Sequence, residues 1–136
     1  MGYYTEFVFG CKLREDTPED VITIVARLCH GIGNFHDLRL PDHEFFRCDR
    51  WRFIACCSSY YFGGPNVSEC TVDEHYNEHR ISIRSNLKNY KEEIQKFVDW
   101  IKPYVDQGAG KRGLLGYAMY EGSSEPQMFY LYDEEG

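Results

Sequence analysis

The sequence predicts an α+β two-layer sandwich: a mostly antiparallel sheet with two helices packed on one face. Three observations predict it. Several segments alternate apolar and polar residues with a period of two, and two longer stretches carry apolar residues at helical spacing. Their order is strand, helix, three strands, helix, two strands, written β-α-β-β-β-α-β-β. The 136 residues suit one domain, 1–136, because no linker, repeat or low-complexity tract divides them.

From Tyr3 to Leu13 the odd positions read Tyr3, Thr5, Phe7, Phe9, Cys11 and Leu13, while Glu6, Gly10 and Lys12 alternate with them, the pattern of a half-buried strand. A helix over 18–30 follows. Thr17 is its expected cap, Pro18 suits the first turn, and Glu19 and Asp20 sit at the positive end of the dipole. Val21, Val25, Leu28 and Cys29 form its apolar face, widened by Ile22 and Ile24, and His30 with Gly31 ends it. Residues 31–50 show no period and read as a long connection. Trp51 to Phe62 is apolar on both parities and reads as a central strand.

Val67 to Tyr76 and His79 to Leu87 predict a hairpin turning near Asn77. Asn89 with Glu92 has capping-box spacing before a helix over 89–104, whose stripe is Ile94, Phe97, Val98, Ile101 and Val105. Pro103 bends or ends that helix. Leu114 to Tyr120 and Gln127 to Tyr132 are the last two strands, joined by a turn at 121–124.

Lys and Arg total 15 against 22 Asp and Glu, a net charge of -7, which argues against general nucleic-acid binding. No apolar run approaches the ~18 residues of a membrane span. The opening MGYYTEF carries neither the cationic nor the apolar stretch of a secretory signal, and Glu6 stands where a myristoylation motif needs Ser or Thr. A soluble, cytoplasmic protein with reduced cysteines is expected.

The candidate residues fall into four groups. Cys70, His75 and His79, with Asp73, have the flavour of a zinc site, yet they lie on a strand-turn-strand segment without a paired CxxC, so solvated histidines are the favoured reading. Cys56 and Cys57 are adjacent in a strand pattern and would point to opposite faces. His36 and His43, with Asp37, Asp42 and Glu44, offer acid and base groups in the long connection, where Phe35, Phe45 and Phe46 are equally plugs that hold it down. Arg47, Arg50 and Arg52 with Trp51 form a basic-aromatic patch suited to anion or protein recognition. No metal and no cofactor is expected. The 11 tyrosines suit an interface, although none can be singled out.

The segments MGYYTEF, LPDHEFF, SSYYF, IRSNLKNYKEEIQKFVDWIKPYV and LGYAMYE together resemble an uncharacterised family of small bacteriophage and prophage proteins, over nearly the whole chain. The resemblance implies a phage or prophage origin and action in the cytoplasm of a bacterial host. It supplies no active-site residues.

The expected function is a non-catalytic, protein-binding or regulatory role. Its specific form is an inhibitor of a bacterial host enzyme or defence nuclease, with Glu69, Asp73, Glu74 and Glu78 occupying a basic groove. The alternative is a small enzyme or ligand-binding domain with a pocket under the 31–50 connection, lined by His36 and His43. An aromatic open sheet face predicts a homodimer, the commonest way to bury a self-complementary patch.

Overall fold

Strand β1 (Thr5–Leu13) runs through the middle of the sheet with Phe7 and Phe9 wholly buried, as the alternation requires. In the computed structural model, which describes residues 3–31, 34–58 and 65–132, it is flanked by β3 (Glu78–Leu87) on one side and β5 (Leu114–Tyr120) on the other. Strand β2 (Glu69–Asp73) pairs with β3 and β6 (Gln127–Tyr130) with β5, giving the order β2-β3-β1-β5-β6. A short β4 (Val105–Gln107) joins the end of β1 beside β5. Every pairing is antiparallel. The fold is an α+β sandwich with a six-stranded open sheet.

Helix α1 (Glu19–Cys29) buries Val21, Ile24, Val25, Leu28 and Cys29, and rests over β2 and β3. Helix α2 (Glu93–Ile101) lies over β1, with the Phe97 ring 5.9 Å from Phe7 and 5.7 Å from Phe9. At Gly116 the backbone of β5 comes so close to β1 that a Cβ there would collide with the Val8 carbonyl, and the register shifts beside it between Leu114 and Gly116. Only glycine allows this approach.

Three local expectations need correction. Trp51–Phe53 is a 3-10 turn rather than the start of a central strand, and 59–62 of that expected strand lie outside the described residues. Phe45, Cys48, Trp51 and Ile54 are all buried, and each of the last three donates its N–H to the carbonyl three residues earlier. That period of three, with Arg52 and Phe53 exposed, is the signature of consecutive 3-10 turns. The observed order is therefore β-α-β-β-α-β-β-β, with β4 taking the extra place.

The helix caps also differ. Thr17 does not cap α1; its hydroxyl donates to the Arg14 carbonyl at 2.6 Å, and Pro18 takes the cap position. Asn89 does serve α2, but five residues ahead: its Oδ1 accepts the Ile94 N–H at 2.9 Å. The Glu93 carboxylate, 1% exposed, accepts the Lys91 N–H, so two separate bonds stand in place of the expected reciprocal Asn89–Glu92 box.

The 31–50 connection is held by aromatic packing. Phe45 stacks on Trp100 and meets Phe97 at 5.3 Å, while Phe46 lies edge-on to Trp100 and Trp51, and Phe35 to Trp51. The chain of rings thus runs from β1 through α2 into the connection. Outside it, the Arg27 guanidinium grips Asp37 at 2.6 and 2.9 Å and also donates to the Asn34 carbonyl.

Candidate binding site

Where β1, β5 and β6 end beneath the N-terminus of α2, a pocket of about 370 Å3 opens. Thr5, Ala118 and Gln127 form its floor, because the strand register puts them on the helix-covered side of the sheet together with Phe7. Asn89, Tyr90 and Glu92 of the segment leading into α2, with Gln95 of the helix, make one wall. Ser123 and Glu125 of the β5–β6 turn make the other.

Tyr3 and Tyr120 meet edge to face at 5.8 Å at its mouth, and Tyr90 completes three exposed tyrosines: 58% for Tyr3, 62% for Tyr90 and 39% for Tyr120. Aromatic rings so exposed cost hydrophobic free energy unless something covers them.

The polar lining is ordered. Asn89 Nδ2 donates to Gln95 Oε1, and Gln95 Nε2 donates to Gln127 Oε1, both at 2.8 Å. The chain of amides ties α2 to β6 and holds the pocket open between them. Among the described residues the lining carries two carboxylates, Glu92 and Glu125, and no Lys, Arg or His. At the helix terminus the Ile94 N–H is already taken by Asn89, and the two lining carboxylates disfavour an anion there.

The residues proposed from sequence lie elsewhere and do not converge. His43 caps the 3-10 turn after it: Nδ1 accepts the Phe45 N–H, which leaves Nε2 as the donor to Asp99 Oδ2 at 3.0 Å. His36 is exposed. A pocket of about 400 Å3 beside the 31–50 connection is lined by Glu44, Arg47, Cys48, Asp49, Lys91 and Lys96, with neither histidine in it. Arg47 pairs with Asp42, Arg50 lies over the Phe53 ring at 5.2 Å, and Arg52 over Trp51, itself buried in the core.

Cys70 lies on β2 opposite Ile81, on the helix-covered side with Cys11, while His79 pairs with Val72 and the His75 ring packs on Tyr76 in the hairpin turn. Among the described residues no three His, Cys, Asp or Glu side chains are grouped to hold a metal. All six cysteines are free. Burial pushes every thiol up, Cys11 and Cys29 to about 12. Such thiols make poor nucleophiles at neutral pH.

Of the four acids assigned to a basic groove, Glu78 is bound by Lys12 at 3.3 Å and Arg80 at 3.1 Å, and Asp73 accepts the His75 N–H. Glu69 and Glu74 are exposed, the former on the edge strand β2. The face of the sheet away from the helices is mixed. Arg80, Ser82 and Arg84 cover the β3 half, and Val8, Tyr117, Met119 and Met128 cover the β5–β6 half, whereas Phe7, Phe9 and Phe129 all turn inward. Within it the buried Glu6 accepts from Arg84 at 3.3 Å and from the Tyr117 hydroxyl at 3.2 Å. Burial and that carboxylate push the Tyr117 phenol up.

No protein-family model, curated protein or solved structure matches this chain. Among the described residues no helix is long and apolar enough to cross a membrane.

Sequence reasoning missed the pocket because its lining comes from segments around 3–5, 89–95 and 118–127, which no local pattern connects. Tyrosine abundance was the only signal, and it named no position.

Proposed function

We propose that this chain is a non-catalytic binding protein that acts on another protein, in keeping with a phage or prophage origin and a cytoplasmic site of action in a bacterial host. The observation that carries the reading is the pocket itself: three exposed tyrosines and two carboxylates around an ordered chain of amides, with neither cysteine nor histidine in the lining. Tyrosine presents a large, rigid, amphipathic surface at low entropic cost and is enriched where proteins meet.

Net charge and the exposed Glu69 and Glu74 favour a partner with a basic surface, which charge would steer toward the chain. An inhibitor of a host nucleic-acid enzyme, including a defence nuclease, is the specific form of this reading. The alternative, an enzyme with a pocket under the 31–50 connection, draws less support because His43 is committed to its cap and to Asp99.

Affinity capture from a bacterial lysate tests the proposal. The intact chain should retain one protein in a salt-sensitive manner, and a Tyr90→Ala, Glu125→Gln variant should lose it. Capture of nothing above the bead background, or equal capture by the variant, would overturn it.

A further inference from the structure

We propose that the tyrosine-walled pocket receives the guanidinium group of an arginine side chain, and this rests on the protein-binding reading above. The charge in the lining sets the sign of the ligand. Glu92 and Glu125 face the space without a cation among the lining residues, and the Ile94 N–H at the helix terminus is already taken by Asn89. A cation gains more from the carboxylates than a neutral donor does.

The aromatic walls select the kind of cation. Tyr3, Tyr90 and Tyr120 offer ring faces and edges to a weakly hydrated organic cation, which loses little on leaving water. A lysine ammonium is compact and strongly hydrated, so it gives up more. A quaternary ammonium suits the rings but has no N–H, and it would leave the carboxylates of Glu92 and Glu125 without donors.

Guanidinium satisfies both halves of the site. Its flat face stacks on tyrosine while its edge donates up to five hydrogen bonds in the plane, toward carboxylate oxygens. The pocket volume of about 370 Å3 lies at the small end of ordinary ligand sites, which is room enough for one side chain. Its position at the sheet end leaves the arginine stem a way out past Tyr3 and Tyr120 toward a partner.

The test is nuclear magnetic resonance titration of the full chain with N-acetyl-arginine methylamide. The neutral citrulline analogue and the trimethyllysine analogue serve as comparisons. The expected result is saturable binding by the arginine compound, with shifts at Tyr3, Tyr90, Tyr120 and the side-chain amides of Gln95 and Gln127. The citrulline compound should produce none. A Glu92→Gln, Glu125→Gln variant should weaken arginine binding by at least about tenfold, the loss expected for charge-assisted hydrogen bonds. Tyr90→Ala should weaken it by about threefold, as for an exposed cation–π contact.

These positions are exposed, and an unchanged backbone spectrum will report that the variants fold. Equal shifts from citrulline, an unaffected double variant, shifts mapping elsewhere, or tighter binding of trimethyllysine would each overturn the assignment. If lysate capture succeeds while arginine does not bind, the guanidinium assignment alone falls.

Discussion

Cys11 on β1 and Cys29 at the end of α1 have thiol pKa values pushed up to about 12 with burial as the main cause, and the neighbouring Cys70 adds to both. A neutral thiol is the form that the core tolerates. Because the folded value lies above the unfolded one, near 8.5, the contribution to stability is complete below about pH 8.5. It is lost as pH rises toward 12, where the unfolded chain ionises first. We therefore expect a melting temperature that is flat from pH 6 to about 8 and falls above about 9. Alkylation at pH 7.5 should leave Cys11 and Cys29 unmodified until denaturant is added. Labelling of either in the native protein at the rate of a free thiol would contradict this account.

At the scale of elements, two forces hold the 31–50 connection, and their magnitudes rank them. The Arg27–Asp37 pair is solvent-exposed, and such pairs contribute little after screening. Phe45 is fully buried between Trp100, Phe97 and Phe46, so Phe45→Ala should cost about 3–5 kcal/mol. Amide exchange should then rise through 34–48 well before it rises in β1. Lowering the pH acts on the weaker force: the Arg27 guanidinium holds Asp37 below its usual range, so that contribution persists above the ordinary carboxylate pKa and fades only at strongly acidic pH. A Phe45→Ala variant with wild-type exchange would show that the rings are not the anchor.

The same elements mark what the sequence makes legible. β1 and both helices follow from periodicity, since one face of each is buried against one core. Trp51 to Phe62 reads as a strand because Trp51 and Ile54, with Phe53 and Ala55 beside them, look apolar on both strand parities, although Trp51 and Ile54 are buried at the spacing of a 3-10 turn. β4 has three residues and no pattern of its own; it exists because β1 offers it an edge beyond β5. Gly116 carries no signal until β1 is placed beside it.

For the whole molecule, the arrangement of layers decides which surfaces remain for partners. The helices and the aromatic connection use up every strand phenylalanine, so the open sheet face is divided between a charged half and an apolar half around Val8, Tyr117, Met119 and Met128. A homodimer is proposed through that apolar half, and light scattering at micromolar concentration should return about twice the 16.0 kDa chain mass. A mass equal to one chain would remove the dimer. The pocket opens on the other side of the sheet, so it remains available in either state.

The central claim is that recognition occurs at the pocket between α2 and the β5–β6 turn. Its most direct measurement is the hydrogen-exchange footprint of the chain with its captured partner bound. The account predicts slowed exchange at 89–95 and 118–127, with the β2 edge as the only other segment protected. Protection confined to the 31–50 connection or to the open sheet face would contradict it.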